Sequence, residues 1–102
     1  MIYNASDVMN PPIPIEQRKH KEIACLSWTS TIGEVIPLRF KMLDEDGEVQ
    51  TFNKLRILRV EEKWSFGTTI MEFRCEIFVN GLTIRALLAL DTNKRKWYLI
   101  DE

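Results

Sequence analysis

Histidine is almost missing from this chain of 102 residues, and cysteine, glycine and proline are scarce: one His, two Cys, four Gly and four Pro. One histidine and two separated cysteines cannot supply the four ligands of an ordinary zinc site. Cys25 and Cys75 belong to no Cys-x-x-Cys pair, and both sit among apolar neighbours. They read as reduced thiols that behave as small buried hydrophobes. Nothing argues for the oxidising compartment a disulfide would need, so the expected setting is cytoplasmic. No apolar run approaches the roughly 20 residues that cross a bilayer. No basic stretch followed by an apolar one opens the chain, so neither a secretory leader nor a membrane contact is expected. Charge of one sign is lacking too. Fourteen basic residues stand against fifteen acidic ones, a net charge of −1, which leaves no global field to draw the protein onto nucleic acid or anionic lipid.

What is present is β-pattern. Asn80-Gly81 lies between two alternating apolar runs, the strongest short-range hairpin signal, because both turn residues must take φ > 0. Folding there pairs Val79 with Leu82, Ile77 with Ile84, Cys75 with Ala86, Phe73 with Leu88 and Met71 with Leu90, all apolar, while Glu76 faces Arg85 on the other side. A slip of one residue would invert every side chain, so the register is well specified.

The rest of the chain is punctuated about every ten residues. Ile23–Thr29 reads as a first strand and Val35–Leu43 as a second. In the second strand Ile36, Leu38, Phe40 and Met42 fall on one face, and Pro37, which cannot donate to a ladder, makes the strand start late or lie on an edge there. A loop of Asp44 to Gly47 places Met42 opposite Val49. Residues 49–64 are too long and uneven for one straight strand, and a bend or bulge near 53–57 reconciles them. The Asn-Gly hairpin supplies two strands and residues 96–100 the last. The expectation is an all-β fold, a small antiparallel barrel or roll of about six strands in meander order, since short connections make neighbours. In topology alone it resembles the broad group of SH3-like small barrels. Residues 1–21, with Asn10-Pro-Pro-Ile-Pro14 and then Arg18 to Lys21, read as an extended Pro-rich and basic arm. Residues 22–102 form the single β domain.

Charge sets an expected register for the third and fourth strands. With Trp64 opposite Met71, the outward pairs are Lys63–Glu72, Glu61–Arg74 and Arg59–Glu76, and the inward ones Val60–Cys75 and Leu58–Ile77. A shift by two would set like charges opposite one another. The outcome is a lattice of alternating signs, poorly placed to attract phosphate.

No catalytic residue, cofactor or metal is assigned. His20 sits between lysines with no partner or cleft to make it a base, and the cysteines lack an electropositive, exposed setting. In the acidic run Asp44–Glu48 glycine follows too early for an EF-hand loop. Trp28, Trp64 and Trp97 read as core residues. Nucleic acid is the second reading, resting on Arg18, Lys19 and Lys21 of the arm and Lys94, Arg95 and Lys96 of the last turn. The first is a non-enzymatic domain acting through protein contacts, because Phe78, Leu87, Tyr98 and Ile100 point outward beside the charge lattice, and a contiguous apolar patch marks a contact. Residues 8–15 of the arm, or a second copy in a homodimer, would cover them.

Overall fold

The computed structural model describes residues 15–101; the Pro-rich segment and the rest of residues 1–14 lie outside them. A short 3-10 turn, Ile15–Gln17, precedes seven strands: β1 (His20–Thr29), β2 (Val35–Leu43), β3 (Val49–Phe52), β4 (Leu55–Ser65), β5 (Thr68–Val79), β6 (Leu82–Asp91) and β7 (Lys96–Ile100). All pairings are antiparallel, and the spatial order is β3-β2-β1-β7-β6-β5-β4. The sheet curls into a half-barrel. Its concave side holds Phe40, Phe73, Cys75, Ile77, Leu88 and Trp97, with the Phe73 and Trp97 rings 5.4 Å apart.

The Asn-Gly hairpin forms in the expected register, from Met71 opposite Leu90 to Val79 opposite Leu82. Asn80 and Gly81 take φ of 50° and 75°, as a tight two-residue turn requires. The alternation sorts these side chains as the period-two rule demands. β7 alternates likewise, with Trp97 in the concave cluster and Tyr98 and Ile100 on the convex side.

Elsewhere the structure corrects the sequence reading. There are seven strands, because residues 49–65 break at Asn53-Lys54. Before the break the chain pairs with β2; after it, with β5. So β3 and β4, consecutive in sequence, are not paired neighbours, and the ring of strands stays open between them. β4 also carries a bulge between Ile57 and Arg59, which switches the face of every later residue.

The register of β4 on β5 is the one the charge argument rejected. Arg59 lies opposite Arg74 and Glu61 opposite Glu72, while Val60 meets Phe73, Ile57 meets Cys75 and Leu55 meets Ile77. Trp64 faces Thr69, and Phe66-Gly67 closes a second two-residue turn with φ of 50° and 78°. Charge is balanced along the strand, across one diagonal and at one directly opposed pair instead. Arg59 pairs with Glu61 on its own strand, Lys63 reaches Glu72, and Arg56 pairs with Glu76. Long side chains reach past the directly opposed position, so opposed signs do not decide the register; packing of Leu55 and Ile57 against the concave cluster does.

Three smaller corrections follow from bulges and loops. β1 begins at His20, not near residue 22. An irregularity on β1–β2 leaves Leu38 without a direct partner, so Ile36 and Leu38 are exposed and Val35 and Pro37 turn inward. The loop after β2 sets Leu43, not Met42, opposite Val49. Of the tryptophans only Trp97 is buried; Trp28 and Trp64 are exposed.

Candidate functional site

The residues expected to form a contact patch do not share one fate. Leu87, Tyr98 and Ile100 are buried on the convex side in a cluster with Ile15, Ile70 and Ala89. Phe78 stands apart and exposed. The 3-10 turn is tied down beside this cluster by Arg18, whose Nη1 donates to Glu72 Oε2 at 2.8 Å, while Lys63 Nζ lies 3.1 Å from the other Glu72 oxygen. Burial raises the pKa of the Glu72 carboxyl, but the hydrogen bonds and charges of Arg18 and Lys63 outweigh it and hold the group below its ordinary value. His20 Nδ1 donates to the Arg18 carbonyl, 2.6 Å away, and its ring meets Tyr98 edge-on.

The basic residues considered for nucleic acid are largely committed to carboxylates. Arg18 is paired with Glu72, Lys19 with Asp101 and Lys96 with Glu22. Lys21 is exposed on β1. Lys94 and Arg95 lie in the β6–β7 turn, where Asp91 Oδ1 accepts from the Asn93 and Lys94 amides. In the acidic loop, Asp44 Oδ1 accepts from the Asp46 and Glu48 amides and Oδ2 from Gln50. The carboxylate of Asp44 is thus occupied in shaping the turn, and those bonds, that of Gln50 first, lower its pKa. Among the described residues no group of three or more His, Cys, Asp or Glu is placed to hold a metal, and no helix is long and apolar enough to cross a membrane. Both cysteines are free. Burial pushes the Cys25 thiol up to about 12, with Cys75 adding to the shift, and the Cys75 thiol up to about 11.

The most developed open feature is one the sequence reading missed. Beneath the gap in the ring lies a cleft of about 670 Å³. One wall is β2 and the turn before it, with Ile32, Val35 and Ile36; the other is β4 and β5, with Ile57, Val60 and Phe73. Both walls end in strand edges. β3 pairs only with residues 40–43 of β2, so Val35–Arg39 has β1 on one side and no strand on the other. β4 pairs along its length with β5 and with no strand on its other side. The gap is a wedge. Its apex is the Asn53-Lys54 corner, held by the Phe78 amide donating to the Lys54 carbonyl at 3.1 Å, and the cleft lining runs on to Ile32 on one wall and Glu62 on the other.

Apolar side chains on β4 and in the turn after it stand without cover. Val60 is 49% exposed, Trp64 71% and Phe66 80%. Phe66 also holds a left-handed backbone conformation, which costs an L-residue about 1–2 kcal/mol. The strip continues around the β2 rim through Ile36 onto Trp28 and Leu26, exposed on the outer face of β1. The only charged side chains among the cleft-lining residues are Glu34 and Glu62. At another place on the half-barrel, where β7 stops, a cleft of about 460 Å³ carries Lys19, His20, Lys21 and Arg85 against one acid, Asp101. The two openings are thus of opposite charge.

Part of the signal for the open wedge was in the sequence: Pro37 called for a late start or an edge, and Gly67 marked a loop over residues 65–69. Asn-Gly at residues 80–81 was easily read because asparagine tolerates φ > 0; phenylalanine does not. No known protein family, curated protein or solved structure matches the chain.

Proposed function

We propose that this is a non-enzymatic β domain of the cytoplasm that works through protein contacts, and that the contact is made by adding a strand of a partner to the open wedge between β2 and β4. One observation carries the reading: the ring of strands is hydrogen-bonded at every step except this one, and both unpaired edges border an apolar cleft. An unpaired edge is a template for another chain unless it is blunted. β4 is blunted only in part, by its bulge and its charges, and it is long for an edge. Strand addition uses such features, with main-chain hydrogen bonds giving affinity and pockets for alternate side chains giving selectivity. Exposed Trp64 on β4 and strained Phe66 in the turn after it fit the same reading, because strain and bare aromatics collect at contact sites. The free thiols of Cys25 and Cys75 support the cytoplasmic setting. Kinship with SH3-like barrels is part of the proposal and rests on the antiparallel meander alone. The nucleic-acid reading has less support, since Arg18, Lys19 and Lys96 are already in ion pairs.

The test is site-specific photocrosslinking in the native cell. A photoreactive amino acid in place of Trp64 is expected to give discrete protein adducts that vanish with the added charge of Val60→Lys. The same group in place of Phe78 is expected to give none. Equal yields at the two positions, or adducts indifferent to Val60→Lys, would remove the wedge as the contact.

A further inference from the structure

Building on strand addition at this wedge, we infer that the chain it takes is an extended segment with apolar side chains at alternate positions and a lysine or arginine at the end that lies over Glu34 and Glu62. The length follows from the free edge. Val35–Arg39 leaves five residues of β2 without a strand on the seam side, so a guest of about five residues, near 17 Å, fills it. The alternation follows from the pleat. Side chains pointing into the cleft meet Val35, Ile57, Val60, Met71 and Phe73, while those between them face solvent.

The charge follows from what lines the mouth. Glu34 immediately precedes β2, and Glu62 is on the cleft side of β4, opposite Met71. Both line the cleft, with no basic residue among the lining. Among the described residues neither side chain is engaged in a salt bridge or hydrogen bond, although the Glu34 backbone is bonded to Ser30. Two unpartnered carboxylates beside a desolvating apolar surface attract a cation and repel an anion, and such charges select partners more than they add affinity. The contrast with the basic opening near the end of β7 means that this preference is local, not a consequence of net charge.

The experiment uses three blocked peptides that differ only in their end residues: Lys-Val-Thr-Val-Thr-Val-Lys, its Gln-ended form and its Glu-ended form. A fourth is the Lys-ended peptide with its central valine replaced by proline, which removes a ladder donor. Binding to the whole protein is read from the amide resonances of Val35–Arg39 and Leu58–Trp64. At low salt the Lys-ended peptide is expected to bind about tenfold more tightly than the Glu-ended one, a difference of about 1.4 kcal/mol. The Gln-ended form should lie between them, and the proline form should not bind. Glu34→Gln with Glu62→Gln, or 0.5 M salt on the unaltered protein, is expected to shrink the ratio to about twofold. If the Lys, Gln and Glu forms bind alike while proline still abolishes binding, strand addition stands and the charge inference falls. If no peptide shifts the two edges, or the proline form binds as well as its parent, both fall.

Discussion

Two apolar surfaces of this molecule have similar composition and opposite states. On the convex side Leu87 is 1% exposed and Tyr98 5%, sealed with Ile15 and pinned by the Arg18–Glu72 pair. At the wedge Val60 and Trp64 are largely bare. The first surface lies at the centre of the sheet, where β6 and β7 have neighbours on both sides. The second lies where two edges diverge. Cover therefore depends on position in the sheet, not on hydrophobicity. An apolar residue between paired strands is consumed by the fold, whereas one beside an unpaired edge remains available to another chain.

The comparison is broken most forcefully by truncating each surface in turn. Leu87→Ala is expected to cost about 3 kcal/mol in urea unfolding, as for other fully buried leucines. Trp64→Ala, although it deletes more atoms, is expected to change stability by less than about 0.5 kcal/mol. Similar costs at the two positions would mean that the wedge is closed in solution.

The seal itself is tested by Glu72→Gln. Losing the charge that bonds Arg18 and Lys63 is expected to cost about 2 kcal/mol. The sign of the pH dependence is fixed by the lowered pKa of Glu72. Stability from Glu72 is present above the ordinary carboxylate value of 4.5 and is lost as pH falls through its lower folded value. Unfolding curves between pH 7 and pH 3 are therefore expected to be flatter in the acid limb for the variant than for the parent.

A gain is expected in the turn after β4. Phe66→Asn recreates the Asn-Gly turn found at residues 80–81 and is expected to stabilise the protein by about 1 kcal/mol, because asparagine tolerates the left-handed conformation. The same change should weaken peptide capture if Phe66 is a contact. The smallest effect concerns the interior thiols. With Cys25 and Cys75 pushed up to about 12 and about 11, alkylation at pH 8 is expected to be more than about tenfold slower in the folded protein than in urea.

How much of this was legible in the sequence depended on how local the signal was. The β5–β6 hairpin, both faces of residues 71–90 and the alternation of β7 followed from a single turn and a strict period of two. β4 did not. Its register is set by packing of Leu55 and Ile57 against β5, which lies outside any local window, and the bulge after Ile57 changes the face of everything beyond it. The charge test failed because Lys63 reaches Glu72 diagonally and Arg18 arrives from far along the chain, bonds invisible to a two-strand alignment. Pro37 did announce a late start or an edge, and a bend or bulge near residues 53–57 was expected, though not a break that gives the two halves different partners. The wedge is the joint consequence of those two signals, which were legible separately and not together.

The central claim is that β4 and the first half of β2 are open edges. Native-state amide exchange tests it residue by residue. In β5, paired on both sides, consecutive amides from Met71 to Ile77 are expected to be protected. In β4 protection is expected to alternate, with the amides that face β5 slow and those that face the wedge exchanging orders of magnitude faster. The seam-facing amides of Val35–Arg39 should behave the same way. Uniform slow exchange along β4, matching β5, would show that the wedge is shut and would contradict this account.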